Sequence, residues 1–207
     1  NIANRPKAPA RKARKPLAVP ATASEIFGCC IYSDTWTEAA LPGWYSISTA
    51  APCDIKLETS VPELMINGGG VMVDGKYYCT AFESFWGMYL VSNYIFDGET
   101  WELLSDFRMY SGPLSSIAYD LAYDPVTENV YGVFYNEDLS GLHFGTLNLT
   151  DFTSTVIADV TEGWLGLSAD KDGNLYAINY TGDFMKVDKN TGATTLIKST
   201  GIVSQYL

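Results

Sequence analysis

The sequence holds one histidine, His143, and 13 basic residues among 207. Any catalytic triad or Cys–His pair would have to use His143, because both arrangements need an imidazole beside the nucleophile. It lies in Ser140-Gly141-Leu142-His143-Phe144-Gly145, which reads as an ordinary strand or hairpin start. No GxSxG elbow is present, and no phosphate-cradling glycine loop. The four cysteines, Cys29, Cys30, Cys53 and Cys79, form no CxxC pair. Zinc spacing is therefore absent. Buried inert thiols are expected, with disulfides among the four as the alternative. No run of 18 apolar residues occurs, so no membrane-spanning helix is expected. No signal peptide is visible either, since no uninterrupted apolar stretch follows the basic residues at the start.

Basic charge is scarce and also unevenly placed. Arg5, Lys7, Arg11, Lys12, Arg14 and Lys15 lie within the first sixteen positions, before the first acid, Glu25. The remaining chain carries 7 basic residues against 24 acids, a net of −17. Residues 1–23 also hold four prolines and no aromatic residue. They read as an extended leader. Charge complementarity makes the acidic body its expected partner. That body repels nucleic acid and anionic membrane surfaces, so no nucleic-acid partner is expected.

From Glu25 onward the texture is β. Aromatic residues make up 14% of the chain, and short apolar runs are separated by turn residues. Three segments align: Asn67-Gly68-Gly69-Gly70-Val71-Met72-Val73-Asp74-Gly75-Lys76-Tyr77-Tyr78, Ile117 through Val133, and Leu165 through Ile178. Each reads as a strand, a tight turn rich in Asp, Gly and Asn, and a second strand opening on tyrosine. Tyr78, Tyr131 and Tyr176 are 53 and 45 residues apart, about one four-stranded unit per repeat. A second hairpin follows in each unit, most cleanly at Phe184 through Ile197. It recurs at Tyr94 through Leu103 and Gly145 through Thr153, and Trp44 through Ser48 starts an equivalent in an earlier unit.

The Asp170-Lys171-Asp172-Gly173-Asn174 turn followed by Leu175-Tyr176-Ala177-Ile178, with Val187-Asp188 and Asn190-Thr191-Gly192 behind it, resembles the repeats of secreted bacterial β-propellers. The resemblance covers roughly residues 25–200. WD40 and kelch signatures are absent. It implies an all-β, propeller-like array of four-stranded antiparallel blades at about 25–66, 67–113, 114–163 and 164–207. It also implies an extracytoplasmic chain, secreted or displayed on a cell surface. Ser204-Gln205-Tyr206-Leu207 reads as the start of another strand, so the expectation is the N-terminal part of a larger propeller, with a closed four-bladed ring as the alternative. The missing blades would lie in further sequence or a second chain.

Three functions fit such an array. The first is a non-catalytic module binding a protein or glycan through blade-rim loops. The second is a lyase or hydrolase using channel carboxylates. The third is a structural segment that assembles with missing blades or a partner. The aromatic group Phe85, Trp86, Tyr89 and Tyr94, with Phe82, is the candidate ligand platform, because exposed rings suit sugars and protein hot spots. Packing between neighbouring blades is the alternative use of those rings. The acids Asp120, Asp124, Glu128, Glu137 and Asp138 read as a solvated turn surface. Glycosidase chemistry would need two of them held close together. No cofactor is expected. Asp170, Asp172 and Asn174 resemble half a calcium loop, but position 181 is Thr where the twelve-residue loop needs Glu, and Asp188, Asn190 and Gly192 fail likewise. Turn chemistry accounts for both stretches, with calcium as the alternative. Asn148-Leu149-Thr150 and Asn179-Tyr180-Thr181 match the N-glycosylation pattern, against which the bacterial resemblance argues.

Overall fold

A computed structural model describes residues 25–30, 41, 43–60, 67–85, 88–110 and 114–202. At 25, 27, 29–30, 52–53, 67, 82–85, 88–89, 107–110 and 114 only the backbone is described. The leader, residues 1–23, lies outside the described residues.

The chain is all-β. Its described strands fall into four antiparallel sheets, each of contiguous sequence. The first sheet holds β1 (Glu25–Cys30), β2 (Gly43–Ser48) and β3 (Ala51–Ser60). The second runs β4 (Asn67–Val73), β5 (Lys76–Phe85), β6 (Met88–Asp97) and β7 (Leu103–Tyr110). The third runs β8 (Ala118–Asp124), β9 (Asn129–Tyr135), β10 (Leu142–Asn148) and β11 (Thr153–Val160), after a 3-10 turn at Leu114–Ser116. The fourth runs β12 (Trp164–Ala169), β13 (Leu175–Asn179), β14 (Asp183–Val187) and β15 (Thr194–Ser199). Three sheets are thus four-stranded blades. The first has three described strands where the repeat predicts four.

Local sequence explains the hairpins. Asp74 and Gly75 take φ of 48° and 73°, the left-handed pair that lets a two-residue turn follow the strand twist. In the fourth sheet Asp170 Oδ1 accepts bonds from the backbone N–H groups of Asp172 and Asn174, so the turn residues that resemble a calcium loop bind one another.

The sheets pack face to face in chain order. Alternate residues of each strand point to opposite faces, so a blade with a neighbour on each side buries both. Trp44 anchors the first seam, 1% exposed, with ring centroids 4.8 Å from Tyr77, 5.8 Å from Phe96 and 6.1 Å from Trp101. The second seam joins Val71 and Val73 to Leu121, Val130, Phe134 and Leu147. The third joins Tyr131, Val133 and Phe144 to Trp164, Leu167, Leu175 and Met185.

The leading strands β4, β8 and β12 pack side by side and run parallel. Gly68 and Gly69 lie against Ala118 and Asp120 in the same order along the chain. Gly166 and Gly173 lie in the same way against Asp120 and Asp124. A Cβ on Gly69 would stand 2.4 Å from Asp120 Cα, so β4 passes β8 only without side chains there. The result is a β-propeller-like array whose first and last sheets are not closed on each other. Among the described residues, no helix is long and apolar enough to cross a membrane.

Polar bonds also tie consecutive sheets. Thr80 Oγ1 accepts from Ala118 N at 3.0 Å. Asp120 Oδ2 accepts from Leu167 N at 2.6 Å. Asp124, fully buried, pairs with Lys189 Nζ at 2.6 Å and accepts from Thr127 Oγ1 at 2.7 Å. Burial pushes the Asp124 carboxyl up. Lys189, the Thr127 hydroxyl and the N–H groups of Val126 and Thr127 outweigh it and hold the carboxyl at about 2. These two acids therefore sit in blade seams and are not the solvated surface that their spacing suggests.

Removing the cation leaves Asp124 buried and unpaired. Lys189→Met is expected to lower unfolding stability at pH 7 by about 1–3 kcal/mol, between an exposed and a fully buried pair. The carboxyl's folded pKa is depressed, so its contribution is present above the unfolded value and is lost as pH falls from about 4 towards 2. Urea unfolding of both proteins at pH 7 and pH 3 checks this: the difference should shrink at the lower pH.

Candidate functional site

Because the leading strands are parallel, equivalent hairpins of successive sheets emerge at the same rim. One rim carries the connections β5–β6, β9–β10, β11–β12 and β13–β14. On it, between the third and fourth sheets, lies a groove of about 280 Å³. Tyr119 of β8, Tyr135 of β9, Leu139 and Leu142 form one side, and Trp164, Leu165 and Tyr180 the other. No charged side chain lines it.

Each wall has an evident cause. Tyr119 and Tyr135 meet edge to face, centroids 5.9 Å apart at 65°. Burial first, and then Tyr119, raise the Tyr135 phenol above its ordinary value, so it stays protonated. The β9–β10 loop closes on itself through Asn136 N to Gly141 O at 2.9 Å and Leu139 N to Asn136 O at 2.9 Å, with Leu139 at φ 57°. Asp138 accepts from the hydroxyl and N–H of Ser140, which hold its carboxyl below the usual range. Trp164 is buried, 5.5 Å from Phe144, and forms the floor.

Tyr180 stands at the mouth, 52% exposed. Its N–H donates to Gly163 O at 3.2 Å, and its ring lies over Gly163, at φ 58°. A Cβ there would come within 2.7 Å of the ring, so the platform requires glycine beneath it. Tyr180 also borders a second depression, of about 490 Å³, lined by Thr161, Glu162, Thr181, Asp183 and Thr194 among others. The two depressions share Tyr180; the lining of the first is uncharged, and that of the second includes Glu162 and Asp183 beside Met185 and Leu196.

Of the aromatic group Phe85, Trp86, Tyr89 and Tyr94, only the Tyr94 side chain is described, and it does not line this groove. Trp86 lies outside the described residues. Phe85 and Tyr89 sit at the ends of β5 and β6, paired with Met88 and Ser84, and their side chains lie outside the described ones, as does that of Phe82. Their hairpin opens on the same rim as the groove, in the second sheet. Tyr94 offers no platform. It is 6% exposed, its ring 6.3 Å from Phe96 in the seam between the first two sheets. Strand alternation puts it on the buried face with Phe96.

His143 is buried in β10, stacked on Phe134 at 5.4 Å, with Nδ1 3.1 Å from Asn136 Oδ1 and no hydrogen-bond partner for Nε2. Burial holds its pKa below the usual histidine value. Asn179 is buried, and its Oδ1 accepts from Thr181 N and Oγ1 and from Asp183 N, so it serves a turn. Among the described residues no three His, Cys, Asp or Glu side chains converge as a metal site would need. Cys79 is buried in β5; the disulfide alternative joins Cys29 or Cys30, Cys53 and Cys79, and the side chains of Cys29, Cys30 and Cys53 lie outside the described ones.

Among the described carboxyls, Asp120 is shifted upward. Burial raises it to about 6, against the pull of the Leu167 and Leu121 N–H groups. Both of its oxygens are engaged by those backbone donors. Its position in a blade seam makes it a latch between β8 and β12.

No protein-family model and no curated protein matches the chain. Solved structures that resemble it include a protein of unknown function from Bacteroides thetaiotaomicron VPI-5482, 17% identical over 75% of this chain and 38% of that one, TM-score 0.46. TolB from Acinetobacter baumannii is 15% identical over 77% of this chain and 38% of its own, TM-score 0.47. A puromycin-hydrolyzing peptidase of Mycobacterium tuberculosis is 9% identical over 88% and 36%, TM-score 0.37. The chain thus spans 38% of the length of the first two.

The latch predicts a pH signature. Because the folded pKa of Asp120 is raised, its contribution to stability is full below about 4 and declines as pH rises through 6. Asp120→Asn should remove that decline. Urea midpoints of wild type and variant at pH 4, 5, 6 and 7 test it; parallel curves for the two proteins would refute the assignment.

Proposed function

We propose that this protein is an extracytoplasmic, non-catalytic binding module that takes a protein or glycan ligand on one rim of its blade array. The observation that carries this reading is the groove between the third and fourth sheets, whose walls are aromatic and aliphatic and whose mouth is an exposed tyrosine set on a glycine. Aromatic rings with polar tips supply contact area at low entropic cost, and concave apolar sites with a few polar groups are the usual form of ligand sites. Among the described residues, two side chains with chemical potential are used otherwise: His143 is buried on Phe134 and Asp120 binds two backbone amides. The resemblance of the repeats to secreted propellers supports the location.

Trp164 in the groove floor gives a direct readout. Among a panel of neutral oligosaccharides and short proline-containing peptides, at least one is expected to shift tryptophan emission, with no shift in Trp164→Phe. Tyr180→Ala should weaken that binding about three- to tenfold, the range of one aromatic contact. A panel without effect, or binding insensitive to Tyr180, would refute the assignment of the groove.

A second reading has its own observation. On the outer face of the first sheet, Ile26, Ile47 and Ile55 stand in register, with Ile26 57% and Ile55 62% exposed. In the fourth sheet Leu196 and Ile197 of β15 are exposed as well. Such faces suit a segment that packs against further blades. Light scattering during size exclusion is expected to give a mass above 22.7 kDa for the native protein. A monomer of that mass with a single cooperative unfolding transition would remove this reading.

A further inference from the structure

We propose that the ligand of the rim groove is a basic, proline-rich segment, and that the leader of this chain, residues 1–23, occupies it in cis. The inference rests on the reading of the groove as a ligand site and adds what that site selects.

The first argument is the chemistry of the surface. A row of aromatic side chains without charge is the surface that takes extended proline-rich chain, because a polyproline segment is already ordered and its rings pack flat on tyrosine and tryptophan. Tyr119, Tyr135, Trp164 and Tyr180 line one groove together, with Trp164 as its floor. The adjoining depression presents Glu162 and Asp183, and the loop beside the groove carries exposed Glu137 and Asp138. Prolines fit the first part, and lysine or arginine the second.

The second argument is charge. Between Arg108 and Lys171 the sequence has nine acids and no Lys or Arg; Asp120 and Asp124 are held in the seams, and the other seven leave the loops of the third sheet and the start of the fourth with acids and no Lys or Arg of their own. Such a surface draws a cation-rich segment and repels an acidic one.

The third argument is that the chain carries the complementary segment. Arg5-Pro6-Lys7-Ala8-Pro9 places two prolines three residues apart between basic side chains. Arg11, Lys12, Arg14, Lys15 and Pro16 follow. Length permits the docking. An extended leader of 23 residues reaches about 70 Å at roughly 3.1 Å per residue. Packed sheets lie about 10 Å apart, so the seam between the third and fourth is about 20–30 Å from the first.

The full-length chain tests this by trypsin cleavage followed by intact mass. Lys7, Arg11, Lys12 and Arg14 are cleavable, whereas Arg5 and Lys15 precede proline. In wild type, leader removal is expected at least about tenfold slower than cleavage of a synthetic peptide of residues 1–23, the protection given by about 1.4 kcal/mol of docking. Tyr180→Ala and, separately, the triple variant Glu137→Gln, Asp138→Asn, Glu162→Gln should each return the rate to near that of the peptide. High salt should do the same. Unchanged thermal melting identifies variants whose sheets are intact. Leader cleavage in wild type at the peptide's rate, or a slow rate that neither variant changes, overturns the proposal. If that occurs while the oligosaccharide or peptide panel still binds through Tyr180, the leader docking alone falls and the rim reading stands. If binding through Tyr180 fails as well, the groove itself is not a ligand site.

Discussion

A four-stranded antiparallel sheet of alternating residues has two faces, and an apolar face left in water costs about 25 cal/mol per Å² of exposed apolar surface. The second and third sheets of this protein are apolar on both. Val71 and Val73 point to one neighbour while Cys79, Tyr94 and Phe96 point to the other. Phe134 and Phe144, on adjacent strands of the third sheet, look in opposite directions in the same way. The middle sheets are stable only as members of a stack. Every other feature follows from that requirement, including the glycines that let β4 run against β8 and the polar bonds that fix how far one sheet can slide on the next.

Those polar bonds are not interchangeable with the apolar contacts. Burial of Trp44 or Phe144 is tolerant of small displacements, since dispersion is spread over many atoms. Thr80 with Ala118, Asp120 with Leu167 and Asp124 with Lys189 are directional. They set the relative height of three sheets, and with it the alignment of loops at the rim. The groove is a result of this alignment, because its walls come from different sheets. Tyr119 and Tyr135 belong to the third sheet, Trp164 and Tyr180 to the fourth or its approach.

The fold class was legible in the sequence for a local reason. Asp74-Gly75 and Asp170 through Gly173 are turns whose chemistry is complete within a few residues, and the strands beside them alternate on their own account. The groove was not legible, because Tyr119 and Tyr180 are 61 residues apart and meet only through packing. The aromatic stretch from Phe82 to Tyr94 drew attention by density, but density does not tell an outward position from an inward one. For Tyr94 the answer is set by the facing sheet, whose Trp44 closes the seam together with Trp101 of Tyr94's own sheet. The acids misled for the same reason: Asp120 and Asp124 sit where turn residues are usually wet, and it is the fourth sheet that covers them.

The described strands of each sheet are consecutive in the chain and pair in sequence order. Pairing within a sheet therefore needs only short loops to close, while the long-range contacts are confined to the seams. On a ribosome that supplies the chain from its N-terminus, a sheet can pair as soon as its own strands have emerged, and must then wait for the next to cover it. Phe144 and Met185 illustrate the interval: the first is made about forty residues before the second, which later closes over the same seam. During that interval the growing protein exposes one apolar face, renewed with every sheet added, and this moving face is the surface a chaperone would meet.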